Sequence, residues 1–247
     1  MRVAATGEPL KFMKLPKLGD IKLDPNASYV HMASNNTVYG SEWREFPDTG
    51  AVPLVADMSS NILSRPVNVS KFGLIFAGAQ KNLGPSGVTL VIIRKDLAER
   101  ADKNLPTMLQ YRTHIKETSL YNTPPSFSIY VVALVLEWLE KLGGVPAIDK
   151  YNDQKAQLLY AEVDRTGFYS CPVDKQDRSR MNVVFRVKGG NDALEEKFVK
   201  ESEAAGLIGL KGHRSVGGLR ASIYNAQPIE GVKALVSFMK EFEKKNG

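Results

Sequence analysis

Cysteine is nearly absent from this chain. The single thiol, Cys171, can form no internal disulfide and has no partner at a zinc-binding spacing. That favours a reducing compartment and gives Cys171 the reading of a small buried apolar residue. Histidine is scarce too, and His31, His114 and His213 lie too far apart to form a local metal motif. The basic residues never form a block interleaved with aromatics. The net charge of +6 therefore suits small anions, such as phosphates or carboxylates, better than a nucleic acid backbone. Long apolar runs are missing. The most apolar helical stretch, Ile129–Leu139, is about half the length needed to span a bilayer, and Glu137 interrupts it. The first residues lack the continuous apolar segment of a signal peptide. No internal repeat or low-complexity tract occurs. A cytosolic globular protein is expected, and 247 residues allow one large domain or two modest ones.

What is present begins with buried-strand patterns. Residues 1–27 read as loop, punctuated by Pro9, Pro16 and Pro25. Ala27–Ser34, Ala51–Ser60, Phe72–Gly78 and Gly87–Arg94 read as strands. Continuous Val/Ile/Leu runs of this kind predict an α/β sheet covered on both faces. From Pro125 the texture changes. "SFSIYVVALVLEWLEKLGG" predicts a buried apolar helix closed by Gly143 and Gly144, and "VPAIDKYNDQKAQLLYAEVDRT" an amphipathic one. Met181–Val187 reads as a strand. "NDALEEKFVKESEAAG" reads as a helix with Asp192 and Glu195 spaced as a capping box. "LIGLKGHRSVGGLRASIY" reads as strand, glycine-rich turn and strand, and "PIEGVKALVSFMKEFEKK" as a final helix with Pro228 near its start. The domain boundary is expected near Gly143–Pro146.

Four constellations carry chemistry. Asp57 ends a buried strand, where ligands of open α/β sheets bind, although an N-terminal helix cap fits the spacing as well. Lys81 leaves the next strand of the same sheet amid Gly78, Ala79, Gly84 and Gly87, which let a flat ligand approach. It is either an exposed turn lysine or a nucleophile activated by desolvation. An Asp and a Lys on neighbouring strand ends suit pyridoxal phosphate, the Lys forming the Schiff base and the Asp pairing with the protonated ring nitrogen. "KGHRSVGGLR" crowds Lys211, His213, Arg214 and Arg220 onto one connection; the two arginines and the histidine could hold a doubly anionic substrate, and the alternative, a solvated basic hairpin, fits less well with the specific backbone path that Gly212, Gly217 and Gly218 imply. In "SLYNTPPSFSIY", Asn122 and Thr123 precede the apolar helix and serve either as an anion site or as a plain cap.

Together, "DMSSNILSRPVNVSKFGLIFAGAQKNLGPSGVTLVIIRKDL", "SLYNTPPSFSIY", "RSRMNVVFRV" and "LKGHRSVGGLRASIYNA" resemble the phosphoserine aminotransferases, within the class V group of pyridoxal-phosphate-dependent aminotransferases. The resemblance runs from about Leu23 to the C-terminus. It implies a fold type I α/β transferase. Residues 1–145 would be the C-terminal part of a large cofactor-binding domain with a mostly parallel sheet, and residues 146–247 a small α+β domain. By resemblance, Lys81 would form the Schiff base and shuttle a proton, and Asp57 would keep the ring nitrogen protonated. Thr37 and Gln80 would hydrogen-bond the cofactor. Asn122 and Thr123 would reach the partner's cofactor phosphate across a homodimer. His213 and Arg214 would bind the substrate phosphate, and Arg220 its α-carboxylate. The implied reaction transfers an amino group between glutamate and 3-phosphohydroxypyruvate, giving phosphoserine and 2-oxoglutarate, a step of serine biosynthesis. A neutral small substrate would leave the cations of "GHR" unpaired.

The family carries more than a hundred further residues before the matching region, so the chain is expected to be N-terminally truncated. That leaves organellar targeting open. It also leaves a second functional reading, a catalytically weak subunit acting only as a dimer partner. No metal, membrane or nucleic acid is expected.

Overall fold

The computed structural model describes residues Met1–Gly247. After two single 3-10 turns the chain enters β1 (Val30–Ala33) and the short antiparallel hairpin of β2 (Asn35–Asn36) and β3 (Ser41–Glu42). It then forms β4 (Leu54–Asp57), β5 (Leu74–Gly78) and β6 (Thr89–Ile93). The main sheet has the order β1-β4-β5-β6. Its first two pairings are parallel and the last is antiparallel. β4 and β5 are central, and Leu54, Ala56, Ile75 and Ala77 are buried together with Met58, Ile62, Phe72 and Leu83. Apolar side chains at alternate positions of these strands thus hold one small core.

β6 departs from the expectation. Its apolar run predicts a covered strand, yet it lies at the sheet edge with Val91 and Ile92 exposed. Three helices follow, α1 (Lys95–Arg100), α2 (Tyr111–Lys116) and α3 (Ser126–Lys141). α3 corrects a second expectation. It forms where predicted, but Leu139 is its only buried residue, and Phe127 and Tyr130 are 75% and 60% exposed. Apolar composition fixed the helix but not what covers it.

α4 (Gly144–Val163) starts after Gly143, whose φ of +97° gives the sharp turn between the two helices. The C-terminal part adds β7 (Tyr169–Ser170), β8 (Asn182–Val187), α5 (Asp192–Ala204), β9 (Leu219–Ser222) and α6 (Ile229–Asn246). The sheet β7-β8-β9 is antiparallel throughout. Val183, Phe185 and Val187 point into a core with Leu159, Phe198 and Met239. Phe198 stacks edge-on against Tyr169, Phe185 and Phe242, with centroids 5.1–6.1 Å apart. The opposite face of β8 meets the β2–β3 hairpin. Asn35 Nδ2 donates to Asn182 Oδ1 at 2.8 Å, and Gly40 lies so close that a Cβ there would sit 2.8 Å from Val184 Cγ2.

Two local readings are revised. The α5 cap is Asn191, whose side chain accepts from the Leu194 N–H, while Glu195 turns away to pair with Arg186. The strand expected before the basic turn shrinks to a single bridge between Lys211 and Leu219. No helix is long and apolar enough to cross a membrane.

Candidate active site

The site is assembled on strand ends. Asp57 is the last residue of β4, paired in register with Phe76 of β5. Its Oδ1 accepts from the Ser59 N–H at 2.8 Å and from Ser59 Oγ at 2.6 Å. Ser59 Oγ in turn accepts from the Gly78 N–H at 2.9 Å. The carboxylate is therefore not a helix cap. It is held by an Asx turn that also ties down the end of β5. Both bonds fall on one oxygen, and the second oxygen has no hydrogen-bond partner in the chain.

Lys81 sits in the turn after β5, half-buried, and its Nζ lies 2.8 Å from Thr37 Oγ1. Burial pushes its pKa below the ordinary lysine value; nearby Asp57 opposes that shift and nearby Arg220 adds to it. The Arg220 guanidinium donates through Nη1 to the Thr37 carbonyl at 3.2 Å. Thr37 thus holds the lysine with its side chain and the arginine with its backbone. Gln80 is exposed and folds back over Gly78, where a Cβ would meet its Oε1 at 2.9 Å.

Arg220 and His213 line a cavity of about 540 Å³ with Phe12, Met13, Tyr39 and Phe185. His213 Nδ1 lies 2.7 Å from Ser215 Oγ, which orients the ring. Arg214 is exposed on the same turn and forms no ion pair; neither it nor Lys81 lines that cavity. Asn122 and Thr123 are not brought to Lys81. They are exposed on the link between α2 and α3, where Asn122 Nδ2 donates to the Thr123 carbonyl. No group of three or more His, Cys, Asp or Glu side chains could hold a metal ion.

Several supporting residues carried no signal strong enough to read in the sequence. Ser59, two residues after Asp57, could have been found as an Asx-turn partner. Asn152, Asn225 and Lys155 could not. Asn152 Nδ2 donates to Asn225 Oδ1, and the Asn225 N–H donates to Asn82 Oδ1 beside Lys81. Lys155, fully buried, donates to the carbonyls of Ile223, Tyr224 and Gln227 at 2.7–3.1 Å.

Pyridoxal phosphate requires an amine for its aldehyde and an anion for its ring nitrogen. The residues present fit it: a half-buried lysine of lowered pKa, and a carboxylate with one oxygen fixed and the other unengaged. With the mixed sheet and the small α+β unit, the arrangement defines a pyridoxal-phosphate-dependent transferase of fold type I. The comparisons with known proteins narrow this. The chain belongs to the aminotransferase class-V family, which matches residues 7–235. It is 55% identical over 244 residues to the phosphoserine aminotransferase of Lysinibacillus sphaericus, covering 98% of this chain and 67% of that protein. The solved phosphoserine aminotransferase of Bacillus circulans subsp. alkalophilus superposes with a TM-score of 0.97 at 55% identity, covering all of this chain and 68% of that one. The pyridoxal-phosphate-bound phosphoserine aminotransferase of Trichomonas vaginalis does so at 0.90 and 42% identity, over 96% of this chain and 67% of that one.

Proposed function

We propose that this chain is a phosphoserine aminotransferase, exchanging an amino group between glutamate and 3-phosphohydroxypyruvate. The observation that carries the reading is Thr37 bridging Lys81 and Arg220, an amine and a carboxylate-binding cation held at one point. The identity of 55% to curated relatives of that name supports the substrates.

When bound, pyridoxal phosphate supplies an aldehyde that carries the amino group and a ring that accepts the electron pair released at the substrate Cα. The chain's own residues do the rest. Arg220 takes the substrate α-carboxylate, using the fork geometry that suits a carboxylate. His213 and Arg214 take the substrate phosphate. Asp57 holds the proton on the ring nitrogen, its orientation set by Ser59. The Lys81 amine, kept by burial from holding its proton too tightly, moves a proton at the substrate Cα. Thr37 keeps that amine beside Arg220, and Gln80 lies against the turn that holds Lys81.

The domain division falls near residue 145, supported by two separate buried clusters on either side of α3. A homodimer, with Asn122 and Thr123 serving the partner's site, is supported by their exposure and by the uncovered face of α3. The cytoplasm is the expected location.

The test is direct. Purified chain with pyridoxal phosphate should develop a visible absorbance band, and borohydride should fix the cofactor onto Lys81. Glutamate and 3-phosphohydroxypyruvate should then give phosphoserine, and Lys81→Ala should give none. Labelling at another lysine would refute the assignment.

A further inference from the structure

β8 alternates strictly. Val183, Phe185 and Val187 enter the core, while Asn182, Val184 and Arg186 take the other face. β9 pairs Arg220 with Val184 and Leu219 with Phe185. Continuing that ladder by one residue sets Gly218 opposite Arg186. The contact there is tight. A Cβ on Gly218, whose φ is +69°, would lie 2.7 Å from Arg186 Cδ and 3.2 Å from its Nε. A Cβ on Gly190, whose φ is +99°, would lie 2.9 Å from Nη2. Two backbone positions at positive φ, Gly190 and Gly218, therefore come close to this side chain, and glycine suits both.

The guanidinium is itself fixed. Its Nε donates to Glu195 Oε1 at 2.7 Å, and the same oxygen accepts from the Val187 N–H at 3.2 Å. Nη2 lies 3.5 Å from Asp192 Oδ1. Nη1 points at the Val216 carbonyl, 3.4 Å away. The turn above it is closed by its own bonds. The N–H groups of Val216 and Gly217 donate to the His213 carbonyl, and the Gly212 N–H donates to the Gly218 carbonyl. A closed loop of this kind moves as one piece, so whatever supports Gly217 and Gly218 also sets where His213 and Arg214 stand.

We propose that Arg186 is a positioning residue for substrate phosphate: locked by Glu195, it is the floor on which the 212–218 turn rests. The inference depends on the phosphate reading of His213 and Arg214 given above. Arg186 lines the same cavity as His213 and Arg220, but Glu195 engages its Nε and the Val216 carbonyl of the turn faces its Nη1, so the role argued for it is to support the turn.

Steady-state kinetics on the pyridoxal-phosphate-loaded full chain tests this, with 3-phosphohydroxypyruvate, glutamate and inorganic phosphate as probes. Arg186→Met keeps the stem and removes the head. KM for 3-phosphohydroxypyruvate and the inhibition constant of phosphate should both rise about 10- to 100-fold, as expected for a misplaced binding group. KM for glutamate should stay within about twofold, because no phosphate is involved. A purely structural role would raise both KM values alike. Arg186→Lys should rescue only part of the loss, since an ammonium lacks the fork. If Arg186→Met fails to fold, Glu195→Gln and Gly218→Ala disturb the same contact from its two sides and should show the same split. Arg214→Ala separates the two claims. If it raises KM for 3-phosphohydroxypyruvate while the Arg186, Glu195 and Gly218 variants do not, the positioning role is overturned and the phosphate reading stands. If Arg214→Ala leaves that KM unchanged, both fall.

Discussion

The backbone N–H of Asn225 donates to Oδ1 of Asn82 at 2.9 Å, joining the neighbour of Lys81 to the chain that leaves β9. The same asparagine gives its amide to the Leu63 carbonyl and accepts from Asn152. Three segments that carry the lysine, the arginine and α4 meet in one buried polar cluster. Asn225→Ala removes two side-chain bonds and leaves buried partners unmet. It should lower the unfolding free energy by about 2–3 kcal/mol. Urea titration measures this, and kcat should fall with it because Lys81 and Arg220 lose a common reference. An unchanged urea midpoint would show the cluster to be idle.

Asp57→Asn keeps the shape and removes the charge that holds a proton on the cofactor ring. A fall in kcat of about 100-fold or more is expected, while borohydride should still fix the cofactor onto Lys81. Ser59→Ala, which removes one of the two bonds that orient the carboxylate and leaves the Ser59 N–H bond in place, should have a smaller effect of the same kind. Wild-type turnover in Asp57→Asn would remove that residue from the ring.

Lys155 is a buried cation with no carboxylate partner, and burial pushes its pKa down to about 8 from 10.5. Between those values the unfolded chain binds the proton and the folded chain does not. Stability should therefore rise with pH across that window and be flat in this respect below about pH 8. Lys155→Met removes the donor for three carbonyls and should cost roughly 3 kcal/mol at neutral pH. It should also abolish the alkaline gain. Thermal melts of both proteins at pH values across the window test the slope.

Val91 and Ile92 stand exposed on β6, whose outer edge is unpaired in this sheet. Such an edge invites intermolecular pairing. Val91→Lys should reduce self-association in concentrated solution, measured by light scattering, without altering the melting of the C-terminal part. More association in the variant would contradict the edge argument.

The sequence was legible where local pattern decides the outcome. The four main strands, α4, α5 and α6 follow from runs of apolar residues, their period and their punctuation by glycine and proline. Lys81 and Asp57 were visible as chemistry at strand ends, and the family resemblance chose between their alternatives. What the pattern could not carry was the identity of neighbours. An apolar helix such as α3 reads as buried whether or not anything in the chain covers it. Glu195 had the spacing of a capping residue, but Arg186 across the strand offered a stronger partner. Asn152, Asn225 and Lys155 look like ordinary polar residues of a helix and a turn until the fold buries them together.

Thr37 touches Lys81 across 44 positions of chain and Arg220 across 183. Closing the longer span costs chain entropy before any contact returns it, so it belongs to the late stages of folding. During synthesis the lysine and its carboxylate leave the ribosome long before β9 exists. A nascent chain halted ahead of β9 would contain the reactive amine without the arginine that receives the substrate carboxylate. The order of synthesis alone thus separates possession of the nucleophile from possession of the site.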